Sequence, residues 1–272
     1  MVVFFDIDGT IVDEDTQLIP ESTVRAVEQL KKNGHIAVVN TGRPMSHIDP
    51  RVRAMDFSGW VCGCGMEVYL NGQWLYRKHP DPALCRLVRD SVREFGMQIL
   101  YETADGAMVA DGAYSVHPIA VKEVDRMRAK GFEIRQSDDM PEPKIMKSMS
   151  YDWPGCQREA FLQRMEPYFT LIDRGNTMVE MVMKGCSKAG GMMALLEHLG
   201  VDKDNTMAIG DSTNDLPMFS VAGHTVCLGG GMDELKAEAE YITDTVMNDG
   251  VEKALHHFGL LYGNKRNAHR LS

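Results

Sequence analysis

The chain opens with the stretch Val2-Val3-Phe4-Phe5-Asp6-Ile7-Asp8-Gly9-Thr10, in which four apolar residues lead directly into two carboxylates. A short, unalternating run of β-branched and aromatic residues is typical of a strand that is buried on both faces of a parallel sheet. Asp6 and Asp8 are two residues apart, so their side chains leave the same face of an extended backbone, and Gly9 allows a sharp turn. We therefore predict a buried strand that ends in two close carboxylates, which a cation would stabilise.

The motif Asp6-Ile7-Asp8-Gly9 has two other interpretations. Asp-Gly is common in surface turns, and from this motif alone a turn is as good an explanation as a functional site. An EF-hand calcium loop that began at Asp6 would need glycine at position 11 and glutamate at position 17, where the chain has Ile11 and Gln17. The functional interpretation depends on where the motif lies in the sheet. The motif follows a predicted strand, and the ligand crevice of an open α/β sheet lies beyond the carboxyl ends of its strands.

The composition limits the classes of partner. The 272 residues carry 29 basic and 39 acidic side chains, a formal net charge of −10. The basic residues cluster only at Lys265, Arg266, His269 and Arg270, so we expect no nucleic-acid partner. No apolar stretch approaches the ~20 residues of a transmembrane helix, and the acidic first strand lacks the positive charge of a signal peptide. We expect a cytoplasmic protein without a membrane partner, whose six scattered cysteines are free thiols.

Alternating strands and helices predict the core of the fold. A helix from Pro20 to Asn33-Gly34 joins the first strand to a second one at Ile36–Asn40. Because such a βαβ unit is right-handed, Thr41 should lie at the same end of the sheet as Asp6. The same pattern returns after Ser187, with a helix and then a strand at 206–209.

Between residues 81 and 186 the pattern changes to grouped strands and helices, which favours an antiparallel α+β module. The predicted fold class is therefore α/β, with a Rossmann-like parallel-sheet core and an inserted α+β cap domain. We assign 1–80 and 187–272 to the catalytic core and 81–186 to the cap. A hairpin closed by Asn71-Gly72 is expected near the end of the first core segment.

Three predicted strands of the parallel sheet end in reactive side chains. They are Asp6 and Asp8 after the first strand, Thr41 after the second, and Asp211, Asn214 and Asp215 after the strand at 206–209. A lone carboxylate at a strand end is more often a helix cap or a turn former, but three such ends are harder to explain in that way. Hard oxygen ligands without His or Cys favour Mg²⁺ over zinc.

A magnesium site suggests a phosphate ligand, and the remaining groups suit one. The Thr41 hydroxyl and the backbone amides of Gly42 and Ile7 can donate hydrogen bonds to an oxyanion. Lys188 lies in a first helical turn, where the helix dipole disfavours a cation, which indicates an anionic partner. One carboxylate would attack phosphorus and the other would protonate the leaving alcohol.

The motifs occur in a specific order: Asp6-Ile7-Asp8-Gly9-Thr10, Thr41-Gly42-Arg43, Lys188 and Gly210-Asp211-Ser212-Thr213-Asn214-Asp215. In this order the chain resembles the haloacid-dehalogenase-like hydrolases, and more narrowly their Cof-type phosphatases with a type IIB cap. The resemblance runs from the first strand to Asp249-Gly250-Val251. It implies a phosphatase that hydrolyses a small phosphate ester, such as a sugar phosphate or a phosphorylated cofactor.

The resemblance also implies roles for single residues. Asp6 would be the nucleophile that forms an aspartyl-phosphate, and Asp8 the general acid and base. Thr41, Lys188 and Asn214 would hold the phosphoryl group.

For the metal, the resemblance implies that Mg²⁺ is bound by Asp6, by the backbone carbonyl of Asp8 and by Asp211. Asp215 would support it through water or a hydrogen bond. A phosphomutase on the same residues and a non-catalytic ligand-binding member of the family are the alternatives.

The chain departs from the family pattern at two places. Asn40 precedes the motif threonine, where family members usually have Ala or Ser. Cys64-Gly65-Met66 stands where the family usually has Asn-Gly-Ala, whose Asn commonly faces the site. The phosphate chemistry does not depend on this Asn, but the way in which the substrate binds does.

Overall fold

A computed structural model of the chain describes residues 1–111, 117–139, 144–175 and 177–261. The basic cluster at 265–270 therefore lies outside the described residues. The chain forms two compact units. The first, here called the core unit, contains Met1–Gly42, Pro50–Leu75 and the chain from Lys188 onward, and the second, the inserted unit, contains Arg43–Asp49 and Tyr76–Ser187. The role of 81–186 as a substrate-specificity domain stays a prediction.

The described strands and helices alternate along much of the chain. The strands are β1 (Val2–Phe5), β2 (Ile36–Asn40), β3 (Gly59–Cys62), β4 (Glu67–Leu70), β5 (Gln73–Arg77), β6 (Gln98–Thr103), β7 (Met108–Asp111), β8 (Ile134–Gln136), β9 (Ile145–Tyr151), β10 (Phe169–Asp173), β11 (Met178–Met183), β12 (Thr206–Gly210), β13 (His224–Cys227) and β14 (Tyr241–Ile242). The α-helices are α1 (Glu21–Lys32), α2 (Pro50–Arg53), α3 (Pro82–Phe95), α4 (Pro118–Ala129), α5 (Arg158–Met165), α6 (Lys188–Leu199), α7 (Leu216–Phe219), α8 (Asp233–Ala237) and α9 (Gly250–His257). Short 3-10 helices lie at Met45–His47, Ser137–Asp139, Lys203–Asn205, Thr213–Asp215 and Val246–Asn248.

The first sheet has the strand order β14-β13-β12-β1-β2-β3-β4-β5. The pairs from β14 to β3 are parallel, and β4 is antiparallel to β3. β1 lies in the interior of this sheet and is buried along its whole length, which confirms the prediction from its apolar run. β2 and β3 follow one another on one side of β1, and β12, β13 and β14 follow one another on its other side. The order therefore reverses between β1 and β12, which is where ligands bind in open α/β sheets.

The predicted helix and hairpin of the core unit are confirmed. α1 buries Ala26, Val27 and Leu30, which recur at helical spacing, and Gly34 follows its end with φ +85°. Asn71 and Gly72 join β4 to β5 with φ +46° and +87°, the left-handed conformations that a tight hairpin turn requires.

The second sheet, in the inserted unit, has the order β10-β11-β9-β6-β7-β8. Its described pairs are antiparallel except for β7 and β8, which are parallel. Ile99 packs in a cluster with α3 and α5, while its neighbour Leu100 packs in a cluster with α4, so helices cover both faces of the sheet. The predicted fold class, a parallel-sheet α/β core with an inserted α+β unit, is confirmed. β8 was not predicted, because it has only three residues and two of them are Arg135 and Gln136.

Two further expectations concern the chain as a whole. All six cysteines are free thiols, as predicted, and Cys62, Cys64, Cys85 and Cys227 are buried. Among the described residues, no helix combines the length and the apolar character needed to cross a membrane.

Candidate active site

β1 positions Asp6 at the carboxyl edge of the core sheet, where its parallel strands end. The Asp6 amide donates to the carbonyl of Ile209 at 3.0 Å, so the pairing of β1 with β12 continues one residue beyond the strand. The chain then turns back, because the carbonyl of Ile7 accepts hydrogen bonds from the amides of residues 10, 11 and 12 at 3.2, 2.9 and 2.9 Å. Asp6 is only 4% exposed, so its charge lies in a medium that solvates it poorly.

Gly9 allows this turn to approach the carboxylate of Asp211. Its φ is +77°, a conformation that favours glycine, and a Cβ atom at this position would collide with the carboxyl group of Asp211. The next residue, Thr10, is fully buried, and its hydroxyl donates to Asp211 Oδ1 at 2.9 Å. Thr10 is a site residue that the sequence did not reveal, although it belongs to the first motif.

The loop after β12 is organised by Asp215. Its Oδ2 accepts hydrogen bonds from the amides of Asp211 at 3.0 Å and Ser212 at 3.2 Å. Gly210 makes this possible, because a Cβ there would collide with the Asp215 carboxylate. Ser212 also donates through its hydroxyl to Asn214 Oδ1 at 2.9 Å. The sequence indicates no role for Ser212, and these contacts supply one.

Lys188 is the first residue of α6 and is 1% exposed. Its Nζ lies 2.9 Å from Asp6 Oδ1, 2.5 Å from Asp215 Oδ1 and 3.3 Å from Asn214 Oδ1. Burial alone would lower the pKa of Lys188, but the negative charges of Asp215 and Asp6 outweigh it, and the pKa lies above its ordinary value. Lys188 is therefore a fixed positive charge.

The carboxylates of Asp6, Asp211 and Asp215 form one buried group, in which one oxygen of each lies within 4.8 Å of the others. Burial, together with the charges of Asp215 and Asp8, raises the pKa of Asp6. Burial and the charges of Asp6 and Asp215 likewise raise the pKa of Asp211. Three carboxylates share one lysine, so the group has an excess of negative charge that a divalent cation would neutralise. Its ligand atoms are all oxygens, which suits Mg²⁺.

The remaining predicted residues lie around this group. The carboxylate of Asp8 is not part of the metal-ligating group, but it is close enough for its charge to raise the pKa of Asp6. Thr41 and Gly42 follow β2, which pairs with β1 so that Phe5 lies opposite Val39, and they therefore lie at the same sheet edge as Asp6.

The backbone holds Thr41 on both sides. Its amide donates to Val61 at 2.8 Å, and its carbonyl accepts from the Cys64 amide at 3.1 Å. The structure thus connects Asp6, Lys188, Asp211, Asn214 and Asp215 through direct contacts, and places Asp8, Ile7, Thr41 and Gly42 next to them in the fold.

Comparisons with known proteins agree with this geometry. A family model described as haloacid dehalogenase-like hydrolase matches residues 3–255. The chain is 29% identical to YkrA of Bacillus subtilis (strain 168), over 96% of this chain and 98% of that protein. It is 26% identical to the 5-amino-6-(5-phospho-D-ribitylamino)uracil phosphatase YcsE of the same organism, over 95% and 96% of the two chains. A solved structure of a hypothetical protein from Geobacillus kaustophilus HTA426 superposes with a TM-score of 0.81 at 26% identity, covering 95% of this chain and 98% of the other.

Proposed function

This chain belongs to the haloacid dehalogenase-like hydrolase family, and from that membership we propose that it is a Mg²⁺-dependent phosphatase of small phosphate esters. The observation that carries the proposal is the contact of one buried lysine, Lys188, with Asp6 and Asp215 at the carboxyl edge of the parallel sheet. A nucleophile, a fixed positive charge and oxygen ligands for a cation are the parts that phosphoryl transfer needs.

The oxygen atoms of the site would have two different roles towards magnesium. Asp6, Asp211 and the backbone carbonyl of Asp8 would hold the ion. Asp215 would support the ion through water or a hydrogen bond, because its two carboxylate oxygens already accept from Lys188 and from two backbone amides. When bound, Mg²⁺ supplies positive charge that offsets the repulsion between the Asp6 carboxylate and the phosphate.

The two carboxylates of the first motif would have different tasks. Asp6 attacks phosphorus in line, so that a bond forms from its carboxylate oxygen as the bond to the leaving alcohol breaks. Asp8 donates a proton to that alcohol, and then takes a proton from the water that hydrolyses the aspartyl-phosphate. The Lys188 ammonium opposes the effect of burial on the pKa of Asp6, and so favours the ionised form that acts as the nucleophile.

The phosphoryl group would be held by groups from four chain segments. Lys188 and Asn214 lie on one side of Asp6, and the Thr41 hydroxyl follows the neighbouring strand. The backbone amides of Ile7 and Gly42 would add donors to the phosphoryl oxygens. The substrate class is supported by YcsE, a relative whose name gives a small phosphorylated metabolite as its substrate. A sugar phosphate or a phosphorylated cofactor in the cytoplasm is the substrate that we propose.

The test is hydrolysis of p-nitrophenyl phosphate and of a panel of phosphorylated metabolites, with and without Mg²⁺. The wild-type protein should release phosphate only when Mg²⁺ is present, and Asp6→Asn should lose more than about 1000-fold in kcat because it lacks the nucleophile. The matched control is Asp56→Asn, which removes an exposed carboxylate that pairs with Lys31. Asp56→Asn should be fully active. Phosphate release by Asp6→Asn at the wild-type rate would contradict the proposal.

A further inference from the structure

Asn40, the last residue of β2, places a buried amide beside the start of α6. Its Nδ2 donates to the backbone carbonyl of Lys188 at 3.1 Å and lies 3.6 Å from Met218 Sδ. Asn40 is fully buried, and its Oδ1 accepts no hydrogen bond from the described residues. The amide thus uses its donor group on Lys188 and leaves its acceptor unsatisfied.

The unsatisfied oxygen makes Asn40 a costly residue at this position. A buried acceptor without a donor loses its hydration and gains nothing in return. The hydrogen bond that the amide does make is not needed to satisfy Lys188, because the carbonyl of a first helical residue also accepts from the following turn. An apolar side chain at position 40 would therefore fold at least as well, and the amide is better explained by what it holds.

The Asn40 amide holds the part of α6 that carries Lys188. One turn later, a Cβ at Gly191 would collide with Val61 Cγ1 and would lie 2.8 Å from Gly65 Cα, so this turn of the helix is fixed closely against β3 and its loop. At the start of the helix a cation is opposed by the helix dipole, so Lys188 needs its own attachment there. The Asn40 amide supplies the attachment of the backbone at that point.

We propose that Asn40 is a positioning residue, which fixes the backbone of Lys188 so that its ammonium group meets Asp6 and the phosphoryl group in one geometry. The inference rests on the proposed phosphatase function. Asn40 touches neither the phosphate nor the carboxylates in this scheme, and it acts only through Lys188. Nothing in the first motif, the lysine motif or the aspartate motif requires an amide at this position.

The test compares Asn40→Leu and Asn40→Ala with the wild type. Both variants remove the donor, and Asn40→Leu keeps the branched shape of the side chain. We expect kcat/KM to fall by about 10- to 100-fold, because a displacement of about 1 Å in a group that holds the substrate has effects of this size. The inhibition constant of orthophosphate should rise in the same variants, while the melting temperature of Asn40→Leu stays equal to or above that of the wild type.

Thr206→Val is the matched control. Thr206 is also fully buried, and its hydroxyl bonds to the backbone at Lys203 and Gly223, at the opposite end of β12. This variant should melt at a lower temperature with unchanged kcat/KM and an unchanged inhibition constant. Wild-type values of kcat/KM in both Asn40 variants would overturn the inference and leave the phosphatase assignment intact. A loss of activity with no change in orthophosphate inhibition would overturn it as well. An inactive wild type would overturn the proposed function itself.

Discussion

Thr10 illustrates how a residue with no part in the proposed chemistry can orient Asp211, a proposed metal ligand. Its buried hydroxyl donates to Asp211 Oδ1, so the carboxylate is held in one orientation by a group that is 201 residues away in the sequence. Groups that orient a metal ligand in this way commonly change metal affinity when they are removed. We therefore expect Thr10 to influence how tightly the site holds Mg²⁺.

The variant Thr10→Val keeps the shape of the side chain and removes the hydrogen bond to Asp211. The Mg²⁺ concentration that gives half-maximal phosphatase activity should rise by about 10- to 100-fold, because the freed carboxylate must be ordered when the ion binds. Thr10→Ser retains the hydroxyl and should stay within about threefold of the wild type by the same reasoning. An unchanged Mg²⁺ requirement in Thr10→Val would show that the contact does not orient the ligand.

The site residues that the sequence predicts are reactive side chains at the end of a strand or at the start of a helix. Asp6, Asp211 and Lys188 are of this kind, because their position in the βαβ pattern determines where they lie. The residues that contact them could not be predicted in this way. The contacts of Thr10 with Asp211 and of Asn40 with Lys188 join segments that are distant in sequence, and no local pattern indicates which pairs will meet.

Among the elements, strands with continuous apolar residues were predicted closely and polar ones were not. β2 begins and ends at the predicted residues, Ile36 and Asn40, whereas the short polar β8 was missed. The side chains that pair between strands of the inserted unit could not be predicted from the sequence. Glu180 on β11 is 4% exposed and lies 3.1 Å from Lys147 on β9 and 2.7 Å from Arg174. Burial would raise the pKa of Glu180, but the two positive charges outweigh it and lower the pKa to about 2.

This ion-pair group predicts how the stability of the inserted unit depends on pH. The pKa of Glu180 falls from an ordinary 4.5 to about 2, which corresponds to roughly 3 kcal/mol of stability at neutral pH. The contribution is complete above the unfolded-state pKa and is lost as the pH falls from about 5 towards 2. Glu180→Gln should therefore lower the free energy of unfolding by about 3 kcal/mol at pH 7, and the difference from the wild type should shrink as the pH falls.

Urea unfolding of the full chain at a series of pH values measures this difference. Glu133→Gln is the control, because Glu133 also pairs with an arginine, Arg135, but has an exposed side chain. The loss of an exposed pair should change the free energy of unfolding by less than about 1 kcal/mol at any pH. A deficit in Glu180→Gln that stays constant between pH 7 and pH 3 would mean that packing, and not the charge of Glu180, stabilises this part of the sheet.

At the scale of the whole molecule, the strand order concentrates negative charge at one place. Two acidic loops that are separated by about 200 residues meet because β1 and β12 are neighbours, at the point where the strand order reverses. The alternating pattern of the sequence predicts this meeting. It does not predict that residues 43–49 group with the inserted unit, because a seven-residue link carries no signal of the surface on which it packs.

From the concentration of charge we predict that the stability of the core unit depends on magnesium. Without a cation, Asp6, Asp211 and Asp215 repel one another, and the positive charge of Lys188 offsets part of this repulsion. An ion that binds the folded site should stabilise it by about 2.7 kcal/mol at 100 times its dissociation constant. The melting temperature should rise with Mg²⁺ but not with NaCl of equal ionic strength, and Asp211→Asn should lose most of the rise. Hydrogen exchange should slow in the amides of β1 and β12 while the sheet of the inserted unit exchanges as before. Equal slowing in both units, or a rise in melting temperature that survives Asp211→Asn, would place the bound magnesium elsewhere in the molecule.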